Sequence, residues 1–206
     1  MPDETDVKSA FHDASSSFVA LVDSIGPERL GEPGTDEWTI LELIAHTTRA
    51  YLAIDEVLAR PLDPASRKLA DAADYYRSAM STAGVHDGIT THARDGAARM
   101  GDDPGPYVHD VADRVHRLVV CTPARQDVQH YAGRIAFGDY LVTRITELVL
   151  HSVDLQHALG GTPSAPESAA VLVRGVLASL VDRDDALSVA CALSGRGRAR
   201  SCDVLR

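Results

Sequence analysis

"GDYLVTRITELVLHSVDLQHAL", residues 138–159, is the stretch on which the fold turns. On a helical wheel, positions 141, 145, 148, 152, 155 and 159 read Leu, Ile, Leu, Ser, Leu, Leu, the spacing of one buried helix face. The adjoining stripe, 140, 144, 147, 151, 154 and 158, reads Tyr, Arg, Glu, His, Asp, Ala. Glu147 and His151 lie one turn apart, so their side chains can converge on one point. A carboxylate oxygen and an imidazole nitrogen so placed suit Zn2+ or a similar divalent ion. The same spacing has a second reading. Arg144, Glu147, His151 and Asp154 also form a hydrated face joined by pairs three and four residues apart. On spacing alone the hydrated face is the stronger reading. Gly160-Gly161 marks the stop.

A second long helix is expected over "WTILELIAHTTRAYLAIDEVLAR", residues 38–60. Thr39 and Glu42 have the spacing of a capping box, Trp38 and Leu43 that of a hydrophobic staple, and Pro61 ends the run. His46 falls in its second turn. By itself it reads as a histidine satisfied at a helix interface. Should this helix pack beside 138–159, His46, Glu147 and His151 supply three ligands and leave a fourth position open.

The remaining chain predicts helices over about 4–25, 64–83 (with Pro64 in the first turn), 106–121 and 166–182, and a short one within "ALSVACALSG", residues 186–195. Residues 84–105, rich in Gly, Asp and Thr, read as a loop with at most a short helix, so His86 and His92 fall in a loop. Weak strand character at Val128 and at 135–137 predicts a small hairpin. His109, Asp113 and His116 share a helix and read as surface residues. The outcome is an all-α bundle, in which sites form between facing helices.

Composition narrows the function. The chain has 206 residues, 45% of them hydrophobic, enough for one domain with a small appendage. It contains no apolar run long enough to span a bilayer. The N-terminus, acidic and polar, is unlike a signal peptide, so a cytoplasmic protein is expected. A formal net charge of -10 argues against nucleic acid or an anionic membrane as partner. Cys121, Cys191 and Cys202 lack metal-type spacing and read as reduced, partly buried thiols. There is no phosphate loop, zincin motif or nucleophile elbow. Lys8 and Lys68 are the only lysines among 20 basic residues, which points to a GC-rich genome.

Three segments in order resemble one family. "EWTILELIAH" (37–46) is similar to the Trp-Ser/Thr-x-x-(Asp/Glu)-Leu-x-x-His signature of the mycothiol-dependent maleylpyruvate isomerase N-terminal domain. "FGDYLVTRITELVLHSVDLQHALG" (137–160) resembles its Arg-x-x-Glu-Leu-x-x-His-x-x-Asp-Leu segment, and "ALSVACALSGRGRARSCDVL" (186–205) the closing elements of its short members. The resemblance implies a DinB-like four-helix bundle over 1–160 and a helical extension over 161–206, in place of the further domain of the characterised isomerase type. It implies His46, Glu147 and His151 as metal ligands, with zinc the expected ion. It implies mycothiol as thiol cosubstrate, whose thiolate adds to a conjugated double bond, allows rotation and leaves, or is transferred to an electrophile. An actinobacterial source is compatible with the codon bias.

Arg144 is a candidate for meeting a substrate carboxylate, and Asp154 for orienting His151. A helix-surface ion pair accounts for both as well. Tyr140 and Trp38 line either a cavity or the core. The expected partners are a small thiol and an electrophile, with the chain a monomer or homodimer. A non-catalytic metal-binding helical protein and a metal-dependent hydrolase are the alternatives.

Overall fold

The computed structural model describes residues 4–35, 38–80, 85–181 and 183–194. Its elements run α1 (Glu4–Asp23), a 3-10 turn (Pro27–Arg29), α2 (Ile40–Ala59), α3 (Ala72–Met80), α4 (Val85–Met100), α5 (Gly105–Cys121), β1 (Asp127–His130), β2 (Gly133–Ala136), α6 (Phe137–Ala158), α7 (Glu167–Leu180) and α8 (Arg183–Leu193). No helix among the described residues is long and apolar enough to cross a membrane.

Four helices close a ring. α1 packs on α6, α6 on α2, α2 on α5 and α5 back on α1. Their apolar faces meet in one core built around Phe11, Phe18, Tyr51, Ile54 and Leu148, none exposed. Tyr51 crosses this core with its hydroxyl 2.9 Å from Ser15 Oγ, which satisfies a phenol that burial would otherwise leave unpaired. α4 lies against α2, and α3 and α7 cover the other side of α6.

α6 is therefore enclosed by α1, α2, α3 and α7, with β2 at its start. Its first half is buried all round, from Phe137 to Thr146 apart from Asp139. Two ends of the long helices form as their sequences predict. Thr39 and Glu42 make the full capping box at the start of α2: Thr39 Oγ1 accepts from Glu42 N at 3.2 Å, and Glu42 Oε2 from Thr39 N at 2.9 Å. α6 ends where Gly160 turns to a φ of +73°, a conformation open to glycine.

Two expectations need correction. The third helix begins at Ala72, not 64, because residues 67–69 run beside the hairpin. Leu69 N donates to Arg134 O at 2.7 Å, and Arg134 N to Arg67 O at 2.8 Å. Asp63 turns the chain before that, accepting from Ala65 N, and Asp71 caps the true helix start by accepting from Asp74 N at 2.8 Å. Residues 81–84, its expected end, lie outside the described residues. The expected loop over 84–105 is mostly α4. It docks through small residues: Ala93 and Ala97 are buried, and a Cβ on Gly96 would stand 3.0 Å from Ala45 Cβ. Its glycine is a close-approach residue, not a breaker.

The hairpin forms as expected, antiparallel, with Val128 opposite Ile135. The motif at 195–205 lies outside the described residues. Cys121 is exposed at the end of α5, against the expected partial burial, and Cys191 is half-buried; neither is in a disulfide.

Candidate metal centre

α2 and α6 lie side by side, and this brings His46, Glu147 and His151 together. One donor atom from each lies within 4.8 Å of the others, and all three residues are half-buried. His46 Nε2 is 3.1 Å from His151 Nε2, and Glu147 Oε2 is 3.5 Å from His151 Nε2. Two nitrogens bound to one tetrahedral zinc at about 2.0–2.1 Å stand roughly 3.3 Å apart. Both spacings are near that value, and the set of two imidazoles and a carboxylate is one that could hold a divalent ion. Among the described residues no fourth His, Cys, Asp or Glu joins the group.

The hydrated-face reading fails at the inner end of this stripe, while its outer end keeps the pairs three and four residues apart. Arg144 is 8% exposed and Tyr140 is fully buried. The guanidinium sits against two tyrosine rings, its Cζ 5.0 Å from the Tyr140 centroid and 5.6 Å from that of Tyr75. Its Nε donates to Thr143 Oγ1 at 3.0 Å and its Nη2 to Tyr75 Oη at 3.2 Å. No carboxylate among the described residues makes an ion pair with it. Asp154, at the outer end of the stripe with its side chain 42% exposed, accepts from His151 Nδ1 at 3.0 Å.

These neighbours set the charges. Burial opposes ionisation of Glu147, but the hydrogen bond from His151 and the Arg144 charge prevail and lower its pKa to about 2. Burial likewise opposes a charge on His151, yet Asp154 and Glu147 raise it to about 9. Burial, then the His151 charge, lowers His46 to about 4. His151 Nε2 thus faces both His46 Nε2, at 3.1 Å, and Glu147 Oε2, at 3.5 Å. The fixed Nδ1–H of His151 leaves Nε2 as the atom that faces an incoming ion.

The tyrosines around Arg144 escape a reading of the sequence. Tyr76 Oη donates to Glu147 Oε1 at 2.8 Å, and Tyr75 Oη is 3.4 Å from His130 Nε2. Both tyrosines are buried, and a buried phenol needs a polar partner; the adjacent pair in "DYYRSAM" was the one available signal. Trp38 lies against His46, ring centroids 4.5 Å apart, with its indole N–H buried and unpartnered. His109 is drawn away to Asp23 and His116 to His12. A cavity of about 630 Å³ opens elsewhere, between the end of α1 and the start of α5, and includes none of the three donors.

The ring of four helices, with two histidines and a glutamate converging between α2 and α6, defines the chain as a DinB-like helical bundle. A solved structure described as the mycothiol-dependent maleylpyruvate isomerase has the same fold, with a TM-score of 0.59 at 14% identity over 90% of this chain and 72% of its own. No curated protein matches the chain. The family model for the mycothiol maleylpyruvate isomerase N-terminal domain matches residues 11–156, and the chain belongs to that family.

Proposed function

We propose that this chain is a metal-dependent enzyme that uses mycothiol to isomerise, or to transfer the thiol onto, a small electrophilic substrate. The observation that carries the reading is the three-donor group itself, with no fourth protein ligand among the described residues. Catalytic metal sites keep such a position for an exogenous ligand. Membership of the family, and the likeness to a mycothiol-dependent isomerase, support a thiol as that ligand.

His46, Glu147 and His151 would hold the ion, with zinc the expected metal. A divalent ion there lowers the pKa of a coordinated thiol and so makes thiolate available near neutral pH. Asp154 keeps the Nδ1 proton of His151 and with it the ring's orientation. The hydrogen bond from His151, and after it the Arg144 charge, hold Glu147 ionised. Arg144, a buried cation that makes no carboxylate ion pair among the described residues, is also the proposed anchor for a carboxylate on the electrophile.

The test is a thiol balance. Zinc-loaded protein is given mycothiol and a panel of conjugated electrophiles that includes maleylpyruvate. Isomerisation returns the thiol, so product appears with free thiol unchanged; transfer consumes one thiol per product. Either outcome, lost in His46→Ala, is expected. No product and no thiol loss across the panel would contradict the reading.

A further inference from the structure

Each donor side chain of the centre also touches a residue outside the group of three. Asp154 takes the Nδ1 proton of His151, and Trp38 covers the ring of His46. Glu147 is held by Tyr76 from α3, a helix that supplies none of the three donors. Tyr76 is 6% exposed, and its Oη lies 2.8 Å from Glu147 Oε1 and 3.1 Å from the Thr143 carbonyl oxygen. A phenol has one proton to give. The Thr143 carbonyl lies inside α6, where it accepts from the backbone N–H four residues on. The carboxylate is nearer and, being charged, the stronger acceptor. The proton therefore goes to Oε1. The other oxygen, Oε2, is the one 3.5 Å from His151 Nε2, which in turn is 3.1 Å from His46 Nε2.

We infer that Tyr76 is a positioning residue that fixes Glu147 as a one-oxygen ligand, engaging Oε1 and leaving Oε2 as the oxygen turned to His151. The inference rests on the metal reading of the centre. A carboxylate free to turn can bind an ion through both oxygens and fill a further coordination position. Holding Oε1 back keeps that position for an incoming thiol or water. The same contact links the centre to α7, because α3 packs on both α6 and α7. A change in how α7 seats α3 would thus reach the metal ligand through one hydroxyl.

The experiment uses the full chain, stripped with chelator, as wild type, Tyr76→Phe and Tyr51→Phe. Tyr51→Phe also removes a buried phenol hydroxyl, but one bonded to Ser15. Zinc affinity is measured by competition with a chromophoric chelator, and coordination by the visible absorption of the cobalt-substituted protein. Tyr76→Phe is expected to bind zinc 10- to 100-fold more weakly, with a cobalt band weakened toward higher coordination number. Tyr51→Phe is expected to match the wild type in both. Wild-type affinity and an unchanged cobalt spectrum in Tyr76→Phe would overturn the inference while leaving the metal centre intact. A similar loss in both variants would overturn it too, by tracing the loss to weakened packing. A wild type that takes up no zinc would overturn the metal centre itself, and the inference with it.

Discussion

His151 has three neighbours, each with a separate effect. Asp154 fixes its Nδ1 proton and, with Glu147, raises its pKa, and His46 Nε2 lies 3.1 Å from its Nε2. Substituting Asp154 by Asn keeps the shape and removes the charge. Zinc affinity is expected to fall 10- to 100-fold, as measured by chelator competition, because a ligand's outer partner sets its orientation and basicity. The single tryptophan provides a direct optical readout. Trp38 lies 4.5 Å from His46, centroid to centroid, so zinc titration should change its emission and saturate at one equivalent. An unchanged emission spectrum would speak against binding at His46.

At the scale of elements, α2 and α6 bear the site, and their supports can be tested by stability. Thr39→Ala removes one half of the capping box and should cost about 1 kcal/mol, a fall in Tm of roughly 2–4 °C for a chain of this size. Leu148→Ala opens a cavity beside Glu147 and should cost about 2–5 kcal/mol; Val171→Ala, 47% exposed on α7, should stay within about 0.5 kcal/mol in the same denaturation experiment. These two helices were also the most legible. α2 carries its cap in four residues, and α6 its apolar stripe in one continuous run. α4 was not legible because it packs through Ala93, Gly96 and Ala97, small residues that form no large apolar stripe to read. The start of α3 was hidden because residues 67–69 are held by Arg134, more than sixty positions away. For the same reason the triad could be named from spacing and resemblance, while the burial of Arg144 could not. It depends in part on Tyr75 from α3, which no local pattern brings to α6.

Across the whole molecule, a half-buried neutral histidine ties stability to pH. His130 is lowered to about 3, by burial first and then by the Arg144 charge. Its ordinary value is near 6.5. Below that, the unfolded chain binds a proton that the folded chain refuses, so the stability His130 contributes is present above pH 6.5 and is lost as pH falls toward 3. Between pH 7 and pH 5 the loss from this residue should be about 2 kcal/mol. Urea unfolding of chelator-treated protein should show His130→Gln losing less stability over that interval than the wild type. Equal losses in the two proteins would contradict the assignment.

The whole account depends on one property of the folded chain: that His46 on α2 and Glu147 and His151 on α6 together bind a divalent ion. Elemental analysis of protein purified from zinc-replete cells tests this directly, with the wild type and His151→Ala prepared in parallel. The account predicts about one zinc, or another divalent ion in its place, per wild-type chain and none in the variant. A wild type that stays free of metal even after incubation with zinc, or a variant that retains the full complement, would contradict it.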